Sequence, residues 1–348
     1  MKLAIVIGAI LMFVMPVIPA SAEDPEVQQR TPPQPGSVPS VPKPKIQGSM
    51  VGYIDDALIA SQVRIRFEAG FHAQFPDRAE YFYAKCGCYS QLAGSGLPNF
   101  DPNAPGSAAS ATDLNFQQLY FEGEYAPSSR FSFFAEAPIR WLQPKSFAAD
   151  TGSSGNQSGF GDVRAGVKVG LLSSENGDSV LTAQFKSYFP SGDARHGLGV
   201  NHYSVEPAFL YYQRLGSRAS IESQFSFWHP VGGSSGVATP SNPRPGSFAG
   251  NVLSYGVGPS IEVYRTDRVR FAPVVELVGW SVRGGFQTSW VADNNTTVSA
   301  GGTNIVNLKV GARTAIGPRN SFYVGYGHAL TNAVWYNDLV RAEYRFTF

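Results

Sequence analysis

The chain ends in the stretch VRAEYRFTF, residues 340–348, and this stretch shows the pattern that decides the fold. Its even positions are all apolar or aromatic, whereas its odd positions carry Arg341, Glu343, Arg345 and a threonine. A period of two residues is that of a β-strand, because successive side chains of a strand point to opposite faces. One face of this strand is therefore apolar and the other is charged.

The same alternation recurs from about residue 61 to the C-terminus, in segments separated by two kinds of connection. Short connections, such as residues 216–217, alternate with long ones rich in Gly, Ser, Asn and Pro, such as residues 72–113. This alternation is typical of outer-membrane barrels, so we predict an all-β, transmembrane, antiparallel up-and-down β-barrel of about 12 strands, with long outer loops and short periplasmic turns. The predicted strands lie near residues 61–71, 114–125, 131–142, 159–171, 179–190, 202–214, 218–229, 251–265, 268–282, 303–315, 321–330 and 336–348.

Charged residues collect on one face of the predicted strands. In the first strand, Val63 and Ile65 lie on one face and Arg64 and Arg66 on the other. A charge that faced lipid at the middle of the bilayer would cost about 2–4 kcal/mol, so the charged face should line the lumen. The residues predicted to line the lumen are Arg64, Arg66, Glu122, Glu124, Glu136, Arg140, Arg164, Lys168, Lys186, Glu206, Glu222, Glu262, Arg270, Glu276, Lys309, Arg313, Arg341, Glu343 and Arg345.

The predicted lumen holds similar numbers of cations and anions. Twelve strands lie between the filled eight-stranded barrels and the open sixteen-stranded porins, so the lumen should be narrow. An unpaired charge in so narrow a space would be poorly solvated, and the interior is predicted to be either a constricted, near-neutral passage or a closed core of salt bridges. The expected partners of Arg64, Arg66, Arg164 and Lys168 are Glu122, Glu124 and Glu136.

All five tryptophans, at positions 141, 228, 280, 290 and 335, fall at the long-loop ends of the predicted strands or within the long loops. Amphipathic rings favour the headgroup depth of a bilayer. The tryptophans other than Trp290, which lies within a loop, are therefore predicted to form an aromatic girdle at the outer end of the barrel.

The N-terminus predicts export. Lys2 precedes an apolar stretch that ends in the small-residue cleavage site Ala20-Ser21-Ala22, so residues 1–22 are predicted to be a signal peptide. Residues 23–50 are rich in proline and are predicted to form an extended periplasmic tether, which leaves residues 51–348 for the barrel. Together these segments predict a protein of the cell outer membrane.

Composition restricts the partners. Charged residues make up 15% of the chain, against roughly 25% in ordinary soluble domains. The formal net charge of +1 argues against a nucleic-acid partner, because a nucleic-acid binder carries a basic stripe. No cofactor is expected. The expected partners are outer-membrane lipid, a small-molecule solute and the barrel-assembly machinery, whose C-terminal signal the residues Tyr344, Phe346 and Phe348 resemble.

Cys86 and Cys88 are the only cysteines of the sequence and fall in the first and longest outer loop. Export to an oxidising compartment predicts a local disulfide between them. Two thiolates alone are an incomplete metal site, and binding of zinc or copper is the alternative. The histidines fall near the outer rim without the spacing of metal ligands, so no metal site is predicted.

Two stretches resemble a known family. GFGD at residues 159–162 opens one predicted strand, and YFPSGD at residues 188–193 ends another. They are similar to the GxGD and PTGD pattern of the "meta-pathway of phenol degradation" outer-membrane family, with Ser191 in place of threonine. The resemblance implies uptake of small aromatic or apolar compounds.

The main functional prediction is a narrow passive channel for small solutes, and no enzyme activity is predicted. One alternative is a non-conducting structural or adhesion barrel that uses the 72–113 loop. A further alternative is an outer-membrane hydrolase, for which Ser226, His229 and Glu222 of one hairpin would have to meet near the membrane surface.

Overall fold

The computed structural model describes residues 48–92, 100–149, 151–236, 246–291 and 294–348. The predicted signal peptide and the predicted tether up to residue 47 lie outside the described residues. Within the described part, no helix is long and apolar enough to cross a membrane.

Strands make up most of the described chain. Their bounds are β1 Gln62–Ala73, β2 Ala111–Ser128, β3 Phe131–Phe147, β4 Gln157–Phe160, β5 Val163–Ser173, β6 Ser179–Phe189, β7 Tyr203–Leu215, β8 Ala219–Val231, β9 Val252–Ile261, β10 Tyr264–Arg265, β11 Val269–Val282, β12 Phe286–Val291, β13 Asn294–Ser299, β14 Asn304–Ile316, β15 Asn320–Ala329 and β16 Asp338–Thr347. Short 3-10 helices lie at Arg78–Glu80, Gly87–Leu92 and Ala194–His196.

The main sheet has 14 strands among the described residues and closes on itself. Two of them only prolong others: β4 precedes β5 along β3, and β10 follows β9 along β11. The remaining twelve pair antiparallel with their neighbours, and β16 pairs with β1 to complete the ring. Strands β12 and β13 form a separate hairpin. The predicted all-β barrel of about 12 strands is confirmed.

The connections alternate in length around the barrel, which defines a short-turn end and a long-loop end. At the short-turn end, β7 and β8 are joined at Gly216 (φ +70°) and β14 and β15 at Gly317 (φ +64°). Glycine adopts this left-handed region without a steric penalty, so these turns can be tight. Both the start of β1 and the end of β16 lie at the short-turn end.

Alternate residues of each barrel strand form an apolar outer surface. On β1, Val63 is 44% exposed and Ile65 is 38% exposed, whereas Arg64 between them is only 7% exposed. On β2, Phe121 is 46% exposed and the next residue, Glu122, is 7% exposed. This separation gives lipid an apolar surface and keeps the charges inside, as a barrel that spans a membrane requires.

The predicted outer girdle is wrong for three of the tryptophans. Trp228 and Trp335 are 2% and 7% exposed, and Trp280 lines an interior cavity. Tyr81, from the loop after β1, lies edge-on to Trp228 and stacks on Trp335. The folded loop gives these rings an apolar environment inside the barrel mouth. The side chain of Trp290 lies outside the described residues.

Candidate functional site

The charged residues assigned to the lumen lie on the inner face of the barrel wall. Most of them are buried, including Lys309 and Arg313, whose exposures are 1% and 0%. A buried charge is costly unless it is paired or well hydrogen-bonded. The partners of these charges therefore decide what the interior can do.

One group of charges joins β1, β2 and β5. The register of β1 and β2 places Arg64 directly opposite Glu122, and the two side chains form an ion pair. Lys168 of β5 lies 3.0 Å from Glu124, which also accepts a hydrogen bond of 2.8 Å from the amide of Gln62. Glu122 thus binds a cation of β1, and Glu124 binds a cation of β5.

Glu136 of β3 is shared by two guanidinium groups, with Arg66 at 2.6 Å and Arg164 at 3.0 Å. Arg66 lies opposite Tyr120 on β2, and its guanidinium lies over that ring at 4.2 Å. The side chain of Arg66 packs on this ring, and its guanidinium group reaches across β2 to Glu136 of β3. The structure thus connects three strands through one carboxylate.

Residues 48–60, which we call the luminal segment, pass through the barrel interior. The backbone N–H groups of Gly52, Tyr53 and Ile54 donate to the carboxylate of Glu276 at 3.1, 2.9 and 2.9 Å. Backbone polar groups that leave water need partners. The carboxylate of Glu276, on the barrel wall, is the partner of three such N–H groups.

Cations of the wall bind the luminal segment as well. They reach both its backbone and its own acidic side chains. The contacts are Arg313 with the carbonyl oxygen of Val51 at 2.7 Å, Lys186 with Asp55 at 2.9 Å, and Arg345 with Asp56 at 2.9 Å.

The last residues of the predicted tether lie inside the barrel. Ser49 and Met50 are 2% and 4% exposed, and Met50 packs with Val274 and Val278 of β11. The apolar residues of this short stretch therefore find an interior surface. The boundary between tether and barrel at residue 51 stays a prediction, because the chain before residue 48 lies outside the described part.

Residues 74–92, which we call the cap loop, follow β1 and fold over the long-loop end. The carboxylate of Glu80 accepts hydrogen bonds from the backbone N–H groups of Lys85 at 3.1 Å and Ser234 at 3.2 Å. The same carboxylate lies 3.3 Å from Nε2 of His202. The cap loop is thus bound to the loop after β8 and to the start of β7.

Buried acids of the cap loop have altered acidity. Burial raises the pKa of Asp77 to about 6, although its carboxylate accepts a hydrogen bond of 3.2 Å from the backbone N–H of Thr288. Burial also raises the pKa of Glu80. Both carboxyl groups favour the protonated form more than they would in water, so the cap loop contains groups that respond to pH.

The backbone is strained at the end of β1 and in the first half of the cap loop. His72, Phe75, Ala79 and Glu80 have positive φ values of 56°, 50°, 51° and 52°. Each such residue costs of order 1–3 kcal/mol and persists only where the surrounding structure holds it. The contacts of the cap loop therefore impose its conformation.

Cys86 and Cys88 are joined by a disulfide within the cap loop, with their Cα atoms 5.2 Å apart. Both cysteines are buried and pack with Tyr89 and Phe248. The contribution of this disulfide stays a prediction. Among the described residues, no group of three or more His, Cys, Asp or Glu side chains is arranged to hold a metal ion.

Two adjoining cavities lie between the luminal segment and the cap loop, and together we call them the chamber. The outer cavity has a volume of about 210 Å³ and is lined by rings that include Trp228 and Trp335. The inner cavity has a volume of about 170 Å³ and is lined by charges that include Lys186 and Glu136. The residues that line both cavities are Arg66, Tyr81, Arg164, Tyr188, Trp280 and Arg341.

A third cavity, of about 610 Å³, lies at the short-turn end, and we call it the vestibule. Asp56 lines the vestibule, whereas its neighbour Asp55 lines the chamber. The luminal segment therefore separates the two spaces. Arg270, which also lines the vestibule, pairs with Glu262 at 3.0 Å.

Two wall cations have no carboxylate within 4 Å among the described residues. Lys309 donates a hydrogen bond of 2.8 Å to the hydroxyl of Tyr336 and lies 4.3 Å from the ring centre of Tyr53. Arg140 donates to the carbonyl oxygen of Phe82 at 3.2 Å and lies 4.4 Å from the centre of its ring. Aromatic rings thus replace acids around these cations.

The residues considered for hydrolysis do not form a catalytic triad. Ser226 points inward and donates a hydrogen bond of 2.6 Å to Glu206. His229 is exposed and contacts Asn251 at 2.7 Å. Glu222 accepts a hydrogen bond from the luminal segment. The serine and the histidine lie at positions of opposite parity on β8 and thus on opposite faces.

The predicted assembly signal lies on the outer face of β16 and at the chain end. The ring of Tyr344 lies 4.9 Å from that of Phe322, and the ring of Phe346 lies 6.3 Å from that of Phe348. Phe348 is 61% exposed. These rings are accessible at the short-turn end, and their role in assembly stays a prediction.

Residues 99–227 match the sequence model of the family described as "Putative MetA-pathway of phenol degradation". The resemblance to this family is confirmed. The match covers less than half of the chain and extends from before β2 into β8, so the luminal segment and the cap loop precede it. Among curated proteins, none matches the chain.

Three solved barrel structures are similar to most of the chain. An outer membrane channel from Pseudomonas putida F1 has 15% identity and a TM-score of 0.46, over 83% of this chain and 96% of that chain. The Pseudomonas putida toluene transporter TodX has 8% identity and a TM-score of 0.38, over 83% and 89%. The translocator domain of the autotransporter NalP from Neisseria meningitidis has 10% identity and a TM-score of 0.42, over 83% and 88%.

Proposed function

We propose that the protein is an outer-membrane channel for small solutes whose lumen is closed at two levels, by the luminal segment and by the cap loop. The observation that carries this proposal is the chamber between them, together with the vestibule of about 610 Å³. Protein interiors are close-packed, with few voids larger than a water molecule. A barrel with only a structural role would have no use for such spaces along its axis.

The lining of the chamber also indicates that the solutes are small aromatic compounds. Its outer cavity is lined by Trp228, Trp280 and Trp335, which turn inward instead of facing lipid. Aromatic rings pack well against other rings in offset or edge-on arrangements. The name of the matching family agrees with this class of solute.

The position of the protein in the envelope belongs to the same proposal. The signal peptide at residues 1–22 would direct export, and the apolar outer surface would contact outer-membrane lipid. The terminal aromatic residues would engage the barrel-assembly machinery. Cell fractionation should place the protein in the outer-membrane fraction, and removal of Phe348 should lower the amount found there.

The decisive experiment is single-channel conductance in planar bilayers, combined with liposome swelling. The wild-type protein should give small, discrete current steps because both closures obstruct the lumen. Tyr81→Ala removes the ring that stacks on Trp335 at 4.8 Å and should increase the conductance. Tyr125→Ala, a change on the 63% exposed outer surface, is the matched control and should leave the conductance unchanged.

Two results would contradict the channel. One is the absence of current and of solute flux in all three proteins after their insertion has been verified. The other is an equal effect of the two tyrosine substitutions. Loss of partner contact on deletion of the outer loop, without any conductance, would instead support the adhesion barrel.

A further inference from the structure

The outer cavity of the chamber is lined by four arginines, Arg66, Arg140, Arg164 and Arg341. Arg66 and Arg164 share Glu136, and Arg341 pairs with Glu68. Arg140 has no carboxylate within 4 Å among the described residues. Arg140 donates hydrogen bonds only to uncharged acceptors among the described residues. These are the carbonyl oxygens of Phe82 and Gly197, both at 3.2 Å, and the side-chain oxygen of Gln118 at 3.4 Å.

Each of these four guanidinium groups retains a donor that it does not use. The Nε atom of every one of them is buried and has no hydrogen-bond partner among the described residues, although that of Arg66 lies 3.7 Å from the carboxylate of Glu68. Arg214 and Arg345, which do not line the chamber, also have a buried Nε atom without a hydrogen-bond partner among the described residues, so this feature alone does not mark a ligand site. A guanidinium group presents its donors in a planar fork that matches a carboxylate.

The charge around the outer cavity favours an anion. The four arginines face two acidic residues there, Glu68 and Asp162. Glu68 is already paired with Arg341, and the two oxygens of Asp162 accept the backbone N–H groups of Gly192 at 3.0 Å and Val200 at 2.9 Å. The acids of this cavity are therefore occupied, while Arg140 has no carboxylate within 4 Å among the described residues.

The other walls of the cavity select a flat apolar body. Tyr81, Trp228, Trp280 and Trp335 line it from the long-loop end. Its volume of about 210 Å³ is smaller than the roughly 300–1,000 Å³ of pockets for drug-sized ligands. The space is thus suited to a compound with one ring.

We propose that the outer cavity is a binding site for monocyclic aromatic carboxylates, with the carboxylate at Arg140 and its neighbouring arginines and the ring among the tyrosine and tryptophans. This inference rests on the proposed function, because it names the solute class that the channel would select. It assigns to Arg140 the binding of the anion. A neutral aromatic alcohol of the same size fits the apolar walls but offers no negative charge to the arginines.

The test measures binding of benzoate to the purified, detergent-solubilised barrel by calorimetry and by quenching of tryptophan fluorescence. Benzoate should bind saturably. The affinity for benzyl alcohol should be lower by a factor of about ten or more, because hydrogen bonds to a charged partner are stronger than those to a neutral one. Inorganic phosphate should not displace benzoate. Equal affinity for benzoate and benzyl alcohol, or displacement by phosphate at equal concentration, would overturn the proposal.

Arg140→Gln is the informative variant because Arg140 is not ion-paired, so its loss leaves no carboxylate uncompensated. It should weaken benzoate binding about tenfold and leave benzyl alcohol binding unchanged. Arg214→Gln is the matched control, since Arg214 also has a buried Nε without a partner among the described residues but does not line the chamber. Equal effects of the two variants would contradict the assignment.

Failure of this inference and failure of the channel are distinguishable. A protein that conducts but does not bind benzoate would overturn the site and leave the channel intact. A protein that binds benzoate with the expected dependence on Arg140 but gives no current would support the site and overturn the channel. Heat-dependent migration on gels shows whether each variant is folded, and Arg140→Lys should restore part of the benzoate affinity if the charge is what matters.

Discussion

The luminal segment and the cap loop both obstruct the lumen, but the barrel holds them in different ways. The luminal segment is bound by charged side chains of the wall, such as Glu276 and Arg313, which reach its backbone. The cap loop rests mainly on other loops, as in the stacking of Tyr81 on Trp335, and the wall reaches it through Arg140, which donates to the carbonyl oxygen of Phe82. A closure bound by the wall depends on the charges of the barrel itself. A closure bound by loops can move while the barrel stays unchanged.

The two closures also differ in stability, and the cap loop is the less stable of the two. A hydrogen bond to a charged group contributes about 1.5–3 kcal/mol, and both closures make several of them, the luminal segment with Glu276 and the cap loop through Glu80 and Asp77. The cap loop contains residues with positive φ, and each of these costs of order 1–3 kcal/mol. Ligand-binding loops and lids come from the least stable parts of a protein. The comparison therefore indicates that the cap loop opens more readily than the luminal segment.

The largest effect should come from the wall charges that surround both closures. Replacing Glu122, Glu124 and Glu136 together with Gln leaves buried cations on two strands, β1 and β5, without their partners. Breaking one buried pair by removing one partner costs about 3–5 kcal/mol. The triple variant should therefore lose heat stability, measured by its migration on gels after heating, and its selectivity should shift toward anions, measured by the reversal potential in a salt gradient.

Glu136→Gln alone should give the same shift in selectivity with a smaller loss of stability, because only Arg66 and Arg164 lose their shared partner. Glu175→Gln, at an exposed turn, is the control and should change neither quantity. Unchanged selectivity in the triple variant would show that these carboxylates do not line the path.

Glu276→Gln should release the luminal segment without opening the cap loop. One neutral amide oxygen cannot replace a carboxylate that accepts three backbone N–H groups and the hydroxyl of Tyr323. A loss of about 2 kcal/mol would raise the released fraction roughly thirtyfold. Single-channel recording should show longer or larger open states.

Glu262→Gln is the control for this variant, since Glu262 pairs with Arg265 and Arg270 and not with the luminal segment. An equal change of conductance in the two variants would remove the distinction between the closures. An unchanged conductance in Glu276→Gln would show that the luminal segment does not limit the current.

The alternation of residues predicts the wall and its charges, but it says nothing of what the wall binds. Parity assigns Glu276 and Arg313 to the inner face, and both side chains are buried. Their partners are backbone groups of a segment that precedes the first strand, and a backbone group has no signature in sequence. Composition assigns the first residues of that segment, 48–50, to a proline-rich tether, while the apolar residues between Met50 and Ile54 are the one available signal of its burial.

For the tryptophans, two sequence signals conflict: the parity of their positions and the preference of tryptophan for the membrane interface. Trp228 has the same parity as Glu222 on β8, and Trp280 has the same parity as Glu276 on β11. Parity alone therefore assigns both rings to the inner face, whereas the general preference of tryptophan for the membrane interface predicts a girdle. Trp335 lies in a loop, where no period applies, and only the fold of the cap loop explains its burial.

A change of pH should act on the cap loop rather than on the luminal segment. Burial raises the pKa of Asp77 from 3.8 to about 6, so the closed loop is favoured by protonation of this group. That contribution is fully present below about pH 3.8 and is lost as the pH rises through about 6. This rise in the pKa corresponds to about 3 kcal/mol in favour of the closed loop at low pH. Conductance should therefore be higher at pH 7.5 than at pH 5.

Asp77→Asn keeps an acceptor for Thr288 but cannot lose a proton, so it should reduce this dependence on pH. Glu80, whose pKa is raised as well, would account for the part that remains. Asp178→Asn at the short-turn end is the control and should keep the wild-type pH profile. A wild-type profile in Asp77→Asn would show that this carboxyl group does not govern the cap loop.

The smallest effect is expected from the disulfide of the cap loop. Cys86 and Cys88 are separated by one residue, and the stabilisation that a disulfide provides by restricting the unfolded chain grows with the length of the closed loop. Cys86→Ser combined with Cys88→Ser should therefore fold and insert with nearly the heat stability of the wild type, because the twelve strands do not depend on this ring. Mass spectrometry after alkylation without reduction should find no free thiol in the wild-type protein. Two alkylated thiols, or a bound metal ion at one per chain, would contradict the disulfide, and a barrel that fails to insert would show that the cap loop is needed for assembly.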